Sequence, residues 1–163
     1  MMVDRGLNPD DLTVMFLSNA AQRILLACQR AAGEGGCTIW DYHVVLQARL
    51  DGRDWIMDPD TRLDFPAPRA RYLAQTFPDQ AGLPEHLRTW VRRVPAAGYL
   101  AHFRSDRGHM SGRIPASAFP DYPIIAPPDG VRCIDLGDYR DMRKALADGS
   151  DVLPVDALIG SGA

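Results

Sequence analysis

An Asp-Gly pair, Asp51-Gly52, lies between two runs rich in β-branched and aromatic residues, Ile39 to Leu50 and Trp55 to Met57. It limits the fold more tightly than any other short feature, because a two-residue type I′ turn needs φ > 0 at both central positions, and Asp-Gly meets that need. The turn predicts an antiparallel hairpin with Leu50 opposite Arg53. Counted back along the strands, this register sets Val45 opposite Asp58 and His43 opposite Asp60. Side chains two apart on a strand share a face, so Asp41, His43, Val45, Asp58 and Asp60 are expected to project the same way. Diagonal neighbours on one face stand roughly 7–8 Å apart, a gap that long side chains bridge. A His beside an Asp is what nucleophilic catalysis asks of a base and the group that orients it. The register leaves both Asp58 and Asp60 open as that partner. The plain alternative is a buried hairpin whose His43 is a satisfied core residue. Against it stand the acids crowding one face of a strand whose Val44-Val45-Leu46 run reads as buried, since buried charge must be compensated.

Composition removes several function classes. The 163 residues suit one domain with a real core, and 46% hydrophobic with 24% charged residues is ordinary for a globular protein. A net charge of −3 and a pI near 5.7 give no electrostatic case for nucleic acid or an anionic membrane. No apolar run approaches the ~20 residues of a membrane span. The first residues, Met1 to Asp11, hold no hydrophobic signal core, so a cytoplasmic location is expected. Cys28, Cys37 and Cys133 are odd in number and lack metal-ligand spacing, which predicts reduced thiols. No zinc pattern or P-loop occurs, and a monomer without metal or cofactor is expected.

Along the chain, Asn8-Pro9-Asp10 signals a turn. Leu12 to Leu17 and Ile24 to Cys28 read as strands that join the hairpin in an antiparallel sheet of about four strands. Ala20 to Ala32 carries a helical alternative on propensity. After Thr61, Arg69 to Phe77 predicts two helical turns. Leu87, Trp90, Val91 and Val94 fall at i, i+3, i+4 and i+7, which predicts an amphipathic helix over Glu85 to Val94. Ala96 to Arg104 reads as a short helix burying Tyr99, Leu100 and Phe103. Arg113 to Gly130 is Pro-rich and expected to be extended, Asp138 to Ala147 reads as a last helix, and Asp151 to Ile159 as a terminal strand or helix start. The class is α+β, an antiparallel sheet with helices packed on it.

The run Ile39-Trp40-Asp41-Tyr42-His43-Val44-Val45-Leu46 is more than generic strand. It resembles the hallmark of the protein N-terminal glutamine amidohydrolases. Asp58-Pro59-Asp60-Thr61 and Asp64-Phe65-Pro66 look like the family segments that follow. Tyr99-Leu100, Phe103 and Ser105-Asp106-Arg107-Gly108-His109-Met110 match another family motif, and Tyr122-Pro123 also corresponds. The resemblance runs from about Leu12 to about Leu158. It implies a papain- or transglutaminase-like fold and a Cys-His-Asp triad. The thiolate attacks the side-chain carboxamide of an N-terminal Gln, ammonia leaves, and water resolves the thioester to N-terminal Glu. Carried over by motif, the base is His43 and its orienting acid is Asp58. Pro59 agrees with that choice: it has no N–H, so the ladder is expected to fray there with Asp58 as the last well-held position.

The substrates implied are peptides or proteins with N-terminal Gln. Their α-ammonium calls for a carboxylate, for which Asp41 is the candidate, with Asp60 beside it. The alternative for Asp41 is to cap a backbone N–H or pair with an arginine. Asp106 and Arg107 are expected to buttress the cleft, with His109 near it and not the base. One departure stands out. The family nucleophile lies upstream of the first strand at a helix start, and residues 1–11 hold no cysteine. Cys28 and Cys37 do not match that place and are expected to be structural. The expectation is a single amidohydrolase-like domain over 1–163 lacking the N-terminal Cys-bearing helix. Two functions follow: an amidohydrolase of this family, or a non-catalytic module that binds N-terminal Gln.

Overall fold

The computed structural model describes residues 7–105, 115 and 124–159. The Asn8 side chain accepts the Asp10 N–H and opens a 3-10 turn, Pro9–Asp11, that feeds strand β1, Leu12–Ser18. Then come β2 (Ile24–Ala27), β3 (Cys37–Trp40), β4 (His43–Leu50), β5 (Arg53–Met57) and the short β6 (Ala67–Pro68). Helix α1 (Arg69–Thr76) follows, then β7 (Trp90–Pro95), α2 (Ala96–His102) and β8 (Phe103–Arg104). The last elements are β9 (Ile134–Asp135), α3 (Leu136–Arg140), α4 (Met142–Ala147), β10 (Val152–Pro154) and α5 (Val155–Ile159).

The Asp-Gly turn forms as expected, with φ of 50° at Asp51 and 73° at Gly52. The ladder runs from Leu50 opposite Arg53 to Leu46 opposite Met57. That hairpin belongs to a six-stranded antiparallel sheet in the order β10-β7-β1-β4-β5-β6. Both faces are covered, which explains the continuous apolar runs. Met15, Leu17, Val45, Ile56 and Val91 meet Ile24, Leu26, Tyr72, Leu73 and the buried residues of α5 on one side. On the other side Val14, Phe16, Val44, Trp90 and Val94 meet Phe103, Tyr139 and Met142. The Phe16 ring is fully buried and stacks on Tyr139 at 4.8 Å between centroids, 4° from parallel. The architecture is α+β, as the sequence predicts.

Several local expectations fail for identifiable reasons. The strands before Thr61 do not make one sheet: β2 and β3 pair as a separate two-stranded ribbon. The helical alternative over Ala20 to Ala32 is not taken. Glu85 to Val94 is not a helix either, but a 3-10 turn, Glu85–Leu87, followed by β7 between β1 and β10. The apolar positions there fit both periods. Alternation puts Val91 in one core and Trp90 and Val94 in the other, while Arg92 lies 5.3 Å over the Tyr139 ring. Sheet neighbours on both sides decide the outcome. Leu100 is 40% exposed rather than buried. Asp138 to Ala147 divides into α3 and α4 at Asp141, whose side chain accepts the Lys144 N–H at 3.0 Å and so starts a new helix. Asp151 to Ile159 supplies both the strand β10 and the helix α5.

Candidate active site

The chain leaves the β2–β3 ribbon and enters the main sheet at Asp41-Tyr42, so His43 becomes the first residue of β4, paired with Leu17 near the end of β1. Trp40, the last residue of β3, lays its ring 4.8 Å from the His43 imidazole. Both residues line a cleft of about 520 Å³ together with Asp41, Tyr42, Asp60 and Tyr99.

Asp58 stands one residue beyond the last ladder pair, just before Pro59, which cannot donate to a ladder. A turn holds it instead. The Asp60 N–H donates to Asp58 Oδ1 at 3.0 Å and the Thr61 N–H to the Asp58 carbonyl at 3.3 Å, the Asx-type bonding that stabilises such turns. The segment after β2 is stapled to this turn by Arg30 N–H to the Asp60 carbonyl at 2.7 Å and Arg62 N–H to the Cys28 carbonyl at 2.8 Å.

These two placements bring His43 Nε2 to 3.0 Å from Asp58 Oδ2, with both residues buried. The contact does not have the geometry of a straight N–H···O hydrogen bond. With Nε2 directed at Asp58, Nδ1 is the nitrogen left for the cleft. Asp58 Oδ2 also accepts the Tyr72 hydroxyl at 2.8 Å and the Gln29 Nε2–H at 3.2 Å. Burial alone would raise the Asp58 carboxyl pKa. The His43 imidazole in contact with it, then the Tyr72 hydroxyl and the Asp60 amide, outweigh it and hold the carboxyl below its ordinary value. Burial, followed by the Asp58 charge and hydrogen bond, pushes the Tyr72 phenol well up, so Tyr72 remains a donor.

A depressed carboxyl pKa has a consequence for stability. The Asp58 contribution is whole above the unfolded-state value of 3.8 and is lost as pH falls through the lower folded-state value. The expected result is a fall in the urea midpoint across that acid window. It should be smaller in Asp58→Asn, and urea unfolding at stepped pH measures it.

Asp60 is exposed at the cleft, and His43, Asp58 and Asp60 each offer a ligand-type atom within 4.8 Å of the others. That spacing could admit a divalent cation. Asp58, however, already faces four donors, and the set reads more simply as a proton-transfer centre. Asp41 meets both halves of its alternative: Oδ1 accepts the Tyr42 N–H at 3.1 Å, and Oδ2 accepts Arg140 Nη1 at 2.7 Å. The Arg140 guanidinium also lies 5.2 Å over the Tyr42 ring. Asp106, Arg107 and His109 lie outside the described residues, as do Tyr122-Pro123 and most of the Pro-rich stretch. No cysteine joins the cluster among the described residues. Cys28 Sγ contacts the Gln75 carbonyl at 3.5 Å, and Cys37 and Cys133 are exposed. Sequence reasoning missed Gln29 and Tyr72. The one signal for Gln29 was a polar residue directly after a buried apolar run, and Tyr72 had none.

The family described as N-terminal glutamine amidase matches residues 1–158. The protein N-terminal glutamine amidohydrolase of Drosophila melanogaster is 36% identical over 152 residues, covering 87% of this chain and 72% of the relative. The protein of that name from Drosophila grimshawi is 37% identical over 143 residues, covering 83% and 67%. That from Drosophila virilis is 36% identical over 152 residues, covering 87% and 72%.

Proposed function

The chain belongs to the N-terminal glutamine amidase family, and on that premise we propose that its cleft receives the N-terminal Gln of a peptide or protein and supplies the base for deamidating it to Glu. The observation that carries this reading is the buried His43–Asp58 contact at the cleft wall. In the reaction a cysteine thiol passes its proton to His43, and its sulfur bonds to the side-chain carbonyl carbon. His43 returns the proton to the departing nitrogen as ammonia leaves. Water, deprotonated by His43, then cleaves the thioester to Glu and free thiol. Asp58 keeps the imidazole oriented and stabilises it when protonated.

Recognition is assigned to the carboxylates at the rim. Asp41 is shared with Arg140, so an ammonium there would compete with a guanidinium. Asp60 has no ion pair among the described residues and is the stronger candidate for the α-amine. A hydrogen bond to a charged group is worth about 1.5–3 kcal/mol. Asp60→Asn is therefore expected to weaken binding of a Gln-initiated peptide about 10- to 100-fold, read by titration calorimetry. Asp41→Asn should have a smaller effect. Equal affinity for Gln-initiated and N-acetyl-Gln peptides would refute the reading.

A second reading, a module that binds N-terminal Gln without turnover, is favoured by one observation: none of the three cysteines stands with His43. The same titration supports binding under either reading, and ammonia release separates them.

A further inference from the structure

The geometry points to Tyr72 and Gln29 as positioning residues that lock the Asp58 carboxylate, so that His43 is held with Nε2–H toward Asp58 and Nδ1 toward the cleft. This rests on the reading of His43 as the base. A carboxylate on a turn past the end of a ladder can rotate about its last bond, and a rotated acid no longer fixes one tautomer of its histidine. Here Oδ1 is pinned by the Asp60 N–H. Oδ2 is approached from two further elements, by Tyr72 Oη at 2.8 Å from α1 and by Gln29 Nε2 at 3.2 Å from the segment after β2. Tyr72 and Gln29 are both fully buried, and Gln29 is held in place by its bridge to Thr61.

A packing role alone does not account for Gln29. Aiming its NH2 group at Asp58 leaves Oε1 buried with no partner among the described residues, and an unsatisfied buried acceptor is rarely kept without a reason. Tyr72 is suited to the same task, since its phenol stays protonated beside the anion. The titratable groups facing Asp58 are His43 from β4, Asp60 from its own turn and Tyr72 from α1. No arginine or lysine bonds it among the described residues.

The test is NMR of the full chain, following the Asp58 carboxyl carbon and the His43 ring nitrogens through a pH titration. Tyr72→Phe keeps the ring and removes the donor. The expected result is a rise of about tenfold or more in Asp58 proton affinity, with part of the His43 Nε2–H tautomer passing to Nδ1–H. An unchanged Asp58 midpoint with an unchanged tautomer, in a folded variant that has only lost thermal stability, would overturn the proposal and leave Tyr72 a packing residue. Should Tyr72→Phe fail to fold, the same two readouts on Gln29→Met decide. The spectra report on the pair whether or not the protein turns over, so a failure to deamidate peptides bears on the proposed reaction and not on this network.

Discussion

The 163-residue polypeptide is expected to release ammonia from Gln-initiated peptides at the uncatalysed rate, and to do so equally as Cys28→Ala, Cys37→Ala and Cys133→Ala. The reason is positional. Cys28 directs its sulfur at the Gln75 carbonyl, beside the C-terminal part of α1. Cys37 begins β3, and Trp40, the residue that touches His43, ends it; three residues of strand separate them by about 10 Å. Cys133 is exposed, with its sulfur on the Val131 carbonyl. A base with no thiol beside it activates nothing, and members of a triad act as a unit. Losing the nucleophile costs on the order of a millionfold in kcat. Ammonia detection with and without thiol alkylation is the measurement. A polypeptide that presents a cysteine to His43 Nδ1 is expected to turn over, and alkylation should stop it. Turnover by the 163 residues that vanishes in Cys28→Ala would place the nucleophile at Cys28 and overturn this expectation.

Asp58→Ala is expected to be the most destabilising change at the site, by about 3–5 kcal/mol in urea unfolding, the usual cost of breaking one side of a buried pair. The substitution removes the acceptor shared by His43, Tyr72 and Gln29, each of them buried. Donors left without a partner cost about 1–3 kcal/mol apiece. Asp58→Asn keeps an acceptor oxygen and the side-chain volume, so it should lose less. A loss under 1 kcal/mol in Asp58→Ala would mean that water replaces the carboxylate and that the cluster is far more open than its burial implies.

The hairpin and its register were legible because they depend on residues close in sequence and on a turn with one strongly preferred geometry. The same register put an acid beside His43 but left Asp58 and Asp60 both open, and only the resemblance chose Asp58. The rest of the site was not legible, and distance along the chain explains it. Tyr72 and Gln29 reach Asp58 from separate elements, and Arg140 reaches Asp41 across 99 residues; no periodicity encodes such contacts. Trp90 to Pro95 misled for a different reason. Leu87, Trp90, Val91 and Val94 satisfy a helical stripe, and a strand covered on both faces shows no clean alternation to contradict it. What settles β7 as a strand is pairing to β1 and β10, a property of the assembled sheet.

The two-residue turn at Asp51-Gly52 stands at the far end of the hairpin from the cleft, yet it governs what can happen to this gene without loss of the site. His43 and Asp58 lie beyond the last ladder pair on the two opposite arms of the hairpin, so their meeting depends on a fixed residue count along each arm. A single codon gained or lost in either arm shifts the pairing by one position and turns every later side chain of that strand to the other face. A codon lost beyond Met57 would shorten only the turn, leaving the ladder intact. The segment from His43 to Met57 should therefore tolerate substitution much better than any change in length, even at solvent-exposed positions such as Arg49 and Arg53.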